Sequence, residues 1–105
     1  MNAVPDPMKT NMSTDRAHTL AVQALSFLAQ DAELLPRFLS LTGIQPGDIR
    51  TAAREPGFLA GVLQFYLAHE PTLMRFCEAT GTNPTEVQRA LHALPGGDEA
   101  WDRQI

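Results

Sequence analysis

The sequence predicts an all-α fold: a compact six-helix single domain built from two pseudosymmetric three-helix repeats. Apolar residues recur at helical spacing, and no segment alternates with the period of two that is typical of a strand. Residues of the first half also recur 38 positions later, which indicates a duplicated supersecondary unit whose two copies share one core. The matched pairs include Leu35 and Leu73, Arg37 and Arg75, Phe38 and Phe76, Gly43 and Gly81, and Pro46 and Pro84.

The chain divides into three segments by composition. The first lacks periodicity and is predicted to be a flexible N-terminal arm, the second is the helical domain, and the third is an acidic C-terminal tail. These segments are 1–12, 13–94 and 95–105, and within the domain repeat one covers about 20–53 and repeat two about 58–91.

The first two helices are predicted from their caps. Ser13 or Thr14 caps a helix that continues to about Gln30 with one apolar face. Asp31 then caps a second helix. Pro36 makes its first turn irregular, because proline has no backbone N–H to donate.

The second helix is predicted to end at Gly43, since glycine adopts a positive φ without steric cost. A short third helix follows, with Gln45 as its cap, Pro46 at its first position and Asp48 at its third. It is expected to end near Glu55.

The fourth helix begins at Pro56 and has almost no polar face, so we expect it at the centre of the fold. Gly61 lies inside this helix, where glycine is unfavourable by about 1 kcal/mol. Its presence predicts that the backbone of another helix passes close by.

The fifth and sixth helices follow the same pattern of proline starts and a glycine stop. Pro71 opens the fifth helix and Gly81 closes it. Asn83 caps the sixth, Pro84 takes its first position, and the helix is expected to end at about Leu94.

The charge, the apolar runs and the cysteine count of the chain argue against several classes of protein. The net charge is −4, and Lys9 is the one lysine, so the clustered positive face of a nucleic-acid-binding protein is not visible. No apolar run is long enough to predict a membrane span. The single cysteine, Cys77, excludes an internal disulfide, and the sequence therefore predicts a cytoplasmic protein.

Two corners of the chain have the spacing of a DNA-binding helix-turn-helix. In Gly43–Ile49 and in Gly81–Val87, an apolar residue follows the turn glycine by six positions. However, Asp48 and Glu86 place an acid where phosphates and base edges would lie. Two interpretations stay open, a packing corner and a DNA-associated regulator, and the packing corner is favoured.

Each corner also contains an arginine that precedes an acid by eleven residues, Arg37 before Asp48 and Arg75 before Glu86. We predict structural corner pairs, in which the guanidinium holds the acid at the start of the next helix. The alternative is a pair of anion-binding arginines related by the pseudosymmetry.

No catalytic, cofactor-binding or metal-binding residues are identified. His18, His69 and His92 are scattered and show no familiar metal-ligand spacing. Cys77 takes the place of a leucine in the first repeat, as a small buried hydrophobic residue does. The sequence therefore predicts no enzyme and no cofactor.

A possible interaction surface is predicted where the apolar fourth helix is not fully covered. A groove or a homodimer seam is expected near Gly61, Phe65 and Tyr66. Trp101 lies among acids in the tail, and either folds back onto its own domain or docks on a partner.

The combined corner and fourth-helix motif resembles that of a family of short all-helical bacterial proteins of unknown function (domain of unknown function 3572). The resemblance covers about Ala17 to Leu94, and it implies no activity, cofactor or catalytic residue. The motif is Phe38-Leu39-x-Leu41-Thr42-Gly43-Ile44-x-Pro46-x-Asp48-Ile49-Arg50, followed by Pro56-Gly57-Phe58-Leu59-x2-Val62-Leu63-x-Phe65.

These observations predict a non-catalytic protein-interaction or adaptor module. Its expected partner is another protein or a second copy of the chain, and neither nucleic acid nor a membrane is expected. The alternative is a DNA-associated regulator that uses one of the helix-turn-helix-like corners.

Overall fold

The computed structural model describes residues 12–95, and this part of the chain contains six α-helices, one 3-10 turn and no strand. The predicted all-α fold is confirmed. The helices are α1 (Thr14–Ala29), α2 (Leu34–Thr42), α3 (Ile49–Ala52), α4 (Phe58–Leu67), α5 (Glu70–Thr80) and α6 (Pro84–Ala93), with the 3-10 turn at Pro46–Asp48.

The helix ends follow the predicted caps closely. The Ser13 hydroxyl accepts a hydrogen bond from the backbone N–H of Arg16 at 3.1 Å. At the start of α6, Asn83 and Glu86 each accept a hydrogen bond from the other's backbone N–H, both at 3.0 Å, which forms a capping box. Gly43 and Gly81 end α2 and α5 with φ of +78° and +73°.

The start of α2 differs from the prediction by a few residues. The Asp31 carboxylate accepts hydrogen bonds from the backbone N–H groups of Glu33 and Leu34, at 2.8 and 3.0 Å. The regular helix nevertheless begins at Leu34. The Leu35 N–H donates to the Asp31 carbonyl at 3.3 Å. Pro36 explains the delay, because it has no N–H to donate to the carbonyl of Ala32, which would be the next hydrogen bond of a regular helix.

The core lies where α1, α4 and α6 pack against one another, with α5 covering α4. Phe38 and Phe76 are both buried, as the repeat predicts, and α4 supplies the largest share of the core. The buried apolar residues are Ala17, Leu20, Ala21, Ala24, Leu28, Leu34, Phe38, Phe58, Ala60, Val62, Leu63, Phe65, Tyr66, Leu73, Phe76, Cys77, Val87, Ala90, Leu91 and Leu94.

The third helices of the two repeats are built differently. In the second repeat α6 has ten residues and packs on α1 and α4, whereas the first repeat has a 3-10 turn followed by the four-residue α3. Val87 and Leu73 are buried, but Ile49 and Leu35, the residues that match them, are half-buried. The pseudosymmetry of the two repeats therefore stays a prediction.

Gly61 does not mark a close approach between helix backbones. Outside the backbone of α4 itself, a Cβ atom added at Gly61 would meet no heavy atom within 4 Å. The predicted backbone contact is therefore wrong. Gly61 is half-buried, and the neighbouring helices leave space at its Cα.

No helix within residues 12–95 combines the length and the apolar character needed to cross a membrane.

Candidate functional site

An open groove of about 540 Å³ lies along the outer face of α1, and we call it the α1 groove. Its surface is mostly apolar, with Val22 41% exposed and Phe27 half-buried. Thr80 at the end of α5 contributes to the lining. The lining residues are His18, Thr19, Val22, Gln23, Ser26, Phe27, Gln30 and Thr80.

The geometry of α1 explains why this face is open. The residues that α1 buries in the core are Ala17, Leu20, Ala21, Ala24 and Leu28. At 3.6 residues per turn, His18, Val22 and Ser26 fall on the opposite side of the helix. In the described part of the chain these three side chains are exposed, although one of them is a valine.

Phe27 connects the α1 groove to the core. Its ring meets the ring of Phe76 edge to face, with the centroids 5.7 Å apart. One side of Phe27 is thus held by α5, and the remainder contributes to the apolar surface of the groove.

Among residues 12–95, the lining includes no aspartate, glutamate, lysine or arginine. Its polar groups are the hydroxyls of Thr19, Ser26 and Thr80 and the side-chain amides of Gln23 and Gln30, together with His18. Such a surface can bury an apolar side chain and offers uncharged hydrogen-bonding groups beside it.

The predicted interaction surface near α4 is corrected by the structure. Phe65 and Tyr66 are 8% and 0% exposed, and the Tyr66 O–H donates a hydrogen bond to the backbone carbonyl of Ala24 at 2.7 Å. These side chains form part of the core, so they cannot form an exposed groove, and Gly61 is half-buried beside them in the same helix. Trp101 lies outside the described residues.

The predicted corner pair of Arg75 and Glu86 is wrong. The Arg75 guanidinium forms an ion pair with Asp31 and approaches Glu33 at 4.0 Å. Glu86 instead accepts a hydrogen bond from the guanidinium of Arg16 in α1, at 2.7 Å. The reason is tertiary packing, because α6 begins beside α1, and α5 directs Arg75 towards the junction of α1 and α2.

Arg37 also has a different partner from the predicted Asp48. Its Nη1 lies 3.4 Å from Nδ1 of His69, which in turn lies 2.7 Å from the Thr72 hydroxyl. Arg37 and Arg75 therefore contact different groups and do not converge on one pocket. The alternative of twin anion-binding arginines gains no support from this geometry.

The charged groups at the helix starts are stabilised locally. Two backbone N–H groups at the start of α2 lower the pKa of Asp31, and Arg75 lowers it further. The backbone N–H of Asn83, followed by the guanidinium of Arg16, lowers the pKa of Glu86. Both carboxylates act as structural groups at helix N-termini, where negative charge is favoured.

Cys77 is buried, and this burial, together with the charge of Glu86, raises the pKa of its thiol. A protonated thiol is a poor nucleophile, so Cys77 has the character of a core residue. Within residues 12–95, no three His, Cys, Asp or Glu side chains are grouped so that they could hold a metal ion.

Sequence analysis missed the α1 groove. The available signal was the run of four-residue steps from His18 through Val22 and Ser26 to Gln30, in which an apolar residue lies on an uncharged polar face. A single valine on such a face is common, so the pattern alone does not distinguish a groove from an ordinary helix surface. The depth of the groove beside Phe27 depends on where α5 packs, and the sequence pattern of α1 does not contain this information.

A comparison with known protein families finds a match over most of the chain. The model described as "Protein of unknown function (DUF3572)" matches residues 14–97, which include all six helices and the whole α1 groove. Trp101 lies outside the matched residues. Neither a curated protein nor a solved structure shows significant similarity to the chain.

Proposed function

The chain belongs to the family of proteins of unknown function DUF3572, and we propose that it is a non-catalytic, cytoplasmic protein-interaction module. The observation that supports this proposal is the α1 groove, a mostly apolar and uncharged surface on the outer face of α1. We propose that the groove binds an apolar side chain that a peptide segment presents. An open groove admits such a segment from the side, whereas an enclosed cavity does not.

The lining offers an apolar surface for the anchor side chain and polar groups for the peptide backbone. Burying an aliphatic or aromatic side chain contributes about 1.5 to 3 kcal/mol. Gln23, Gln30 and Ser26 also line the groove, and their amide and hydroxyl groups can donate and accept hydrogen bonds to a peptide backbone. A single anchor of this size supports binding that is weak and reversible, which suits an adaptor.

The groove also supports a non-catalytic role. Among the described residues of its lining, His18 is the one ionisable side chain, and no second acid or base and no cysteine lies beside it. Acid–base or covalent catalysis requires a pair of such groups within reach of one substrate. The lining therefore supports recognition and not chemistry.

The DNA-associated alternative gains no support from the corners. In the first corner, α3 has only four residues and follows a 3-10 turn, which is too short for a helix that reads a major groove. In the second, α6 buries Val87, Ala90 and Leu91 in the core and has an acid, Glu86, in its first turn. We therefore do not propose DNA binding.

Affinity capture with matched variants tests the proposed function. The baits are the unchanged chain, the groove variant Val22→Asp and the control variant Leu41→Asp. Leu41 is 71% exposed and lies outside the groove. We expect at least one cellular protein to be retained by the unchanged chain and by Leu41→Asp and to be lost from Val22→Asp. If the two variants capture the same proteins, the groove is not the interaction surface.

A further inference from the structure

We propose that two copies of this chain exchange halves and form an intertwined dimer. The first half contains α1 and α2 (residues 13–42), the second contains α4, α5 and α6 (residues 58–94), and residues 43–57 are the connector between them. In the exchanged dimer, the first half of each copy packs on the second half of the other copy. The partner is thus a second copy of the chain, and the exchange goes beyond the proposed function because it does not depend on what the α1 groove binds.

The aromatic rings of the first half pack against rings of the second half. Phe38 of α2 contacts Phe58 and Phe65 of α4, with the ring centroids 6.0 and 5.4 Å apart. Phe27 of α1 contacts Phe76 of α5 at 5.7 Å. In the described part of the chain, these are the aromatic contacts that Phe27 and Phe38 make. The first half therefore needs a second half to complete its core.

Polar contacts also join the two halves. The Tyr66 hydroxyl of α4 donates a hydrogen bond to the Ala24 carbonyl of α1 at 2.7 Å, and Arg16 of α1 pairs with Glu86 of α6 at 2.7 Å. α1 packs along both α4 and α6. None of these contacts requires that one chain supply both partners. A second half from another copy can therefore form the same interface.

The connector has few buried contacts. No residue from Gly43 to Gly57 is buried, and the connector contains a 3-10 turn and α3, which makes its main contacts with that turn. Such a segment changes conformation at little cost in packing. The connector has about 15 residues and spans up to about 50 Å when extended, so it can pass from one pair of halves to the other.

Concentration decides which form is populated. The closed chain and the exchanged dimer contain the same contacts between halves, so their free energies differ mainly through the connector and the entropy of association. The connector gives each half a local concentration of the other on the order of millimolar. The closed chain therefore dominates in dilute solution, and the exchanged dimer forms when halves separate and pair again at high protein concentration.

The exchange builds each α1 groove from two copies. Thr80 belongs to the second half, whereas the other lining residues belong to the first. Phe76, whose ring supports Phe27, also belongs to the second half. In the exchanged dimer, one copy thus supplies the outer face of α1 and the other supplies the groups beside it.

Reversing the charges of the Arg16–Glu86 pair tests the proposal. In a closed chain, Arg16→Glu and Glu86→Arg each place like charges opposite one another. In an exchanged dimer with one copy of each variant, the two substituted residues face each other, and so do the unchanged Arg16 and Glu86. The local cost of each substitution, including the weakened capping box at Asn83, is the same in both forms. Only the pairing between halves differs.

The two variants are unfolded together in urea, refolded at high concentration and analysed by native mass spectrometry, which separates the three possible dimers by mass. We expect roughly a fivefold or larger excess of the mixed dimer over either dimer of identical chains, because only the mixed dimer has no like-charge pair. Random pairing gives a ratio of about two. Circular dichroism checks that each variant is helical.

The matched control carries Arg16→Glu and Glu86→Arg in one chain, which restores an opposite-charge pair in the closed form and removes the preference for a mixed dimer. The unchanged chain gives a second measurement without any substitution: refolding at about 1 mM should yield a dimer and refolding at about 1 μM a monomer. The proposal is overturned if both concentrations yield monomer, if the mixed dimer does not exceed the random ratio, or if it forms within seconds when folded chains are mixed without urea. The last result would identify an ordinary surface contact.

Discussion

Tyr66 joins α4 to α1 inside the core. Its hydroxyl donates a hydrogen bond to the carbonyl of Ala24 at 2.7 Å, and its ring packs on Phe76 with the centroids 5.1 Å apart. Burial, and then the negative charge of Asp31, raises the pKa of the phenol well above its ordinary value of 10.0. The folded protein therefore holds Tyr66 in its neutral form.

This contact predicts a loss of stability at alkaline pH. The raised pKa means that the unfolded chain loses the phenol proton above pH 10.0 while the folded chain keeps it, so the free energy of unfolding falls as pH rises beyond that value. Tyr66 is the single tyrosine, so tyrosinate absorbance is expected to appear only together with the loss of helical circular dichroism. Ionisation near pH 10 in a chain that is still folded would contradict the prediction.

Tyr66→Phe provides the control for this experiment. It removes the titrating group, so the part of the alkaline destabilisation that comes from Tyr66 should disappear. The lost hydrogen bond should also lower the free energy of unfolding at neutral pH by about 0.5 to 1.5 kcal/mol.

The hydrogen-bond and ion-pair partners of single side chains could be predicted from the sequence only where both residues are close together in the chain. The capping roles of Ser13 and Asn83 were predictable because both partners lie within one helical turn. The partners of Arg75 and Glu86 were not, because Asp31 and Arg16 are distant in sequence and meet them only through helix packing. A spacing of eleven residues says nothing about where the intervening turn directs each side chain.

At the scale of the helix, glycine has two different roles in this chain. Gly43 and Gly81 have positive φ and end their helices, so they are required by the backbone. Gly61 lies in the middle of α4 with free space where a Cβ would be. The conformational freedom of Gly61 therefore lowers the stability of α4, and no close packing contact requires a glycine at this position.

Alanine substitution separates these two roles. Gly61→Ala is expected to raise the free energy of unfolding by about 0.5 to 1 kcal/mol, because alanine is the better helix former and meets no atom within 4 Å outside its own helix. Gly81→Ala, the matched control, should lower it by roughly 1 to 2 kcal/mol, because a Cβ is strained at positive φ. Urea denaturation measures both, and a destabilising Gly61→Ala would show that α4 has a close neighbour after all.

Helix boundaries were largely predictable because they depend on local chemistry. The Ser13 cap, the Gly43 and Gly81 stops and the capping box at Asn83 are all encoded within a few residues. The third helix was predicted to continue to about Glu55, yet α3 ends at Ala52 after a 3-10 turn. That helix lacks the packing on α1 and α4 that stabilises α6, and packing provides most helical stability in proteins.

At the scale of the whole molecule, the apolar pattern identified the core but not the surface. The all-round apolar sequence of α4 predicted a central helix, and six of its residues are buried. The expected uncovered face of α4 is absent from the described part of the fold, because α1, α5 and α6 pack around it. The exposed apolar surface lies on α1 instead, since the faces that remain open depend on how all the helices are arranged.

The charge of the whole molecule predicts that it does not bind duplex DNA. The chain carries 12 acidic and 8 basic residues, and Arg16 and Arg75 are already paired with Glu86 and Asp31. Binding to DNA requires positive charge that releases counterions from the phosphates, and such binding weakens steeply as salt rises. A fluorescence-anisotropy titration with labelled duplex at low salt should therefore show no binding by the unchanged chain. Binding with a steep salt dependence that is lost in an Arg50→Ala, Arg54→Ala double variant would contradict this, and would make the first corner the relevant surface instead of the α1 groove.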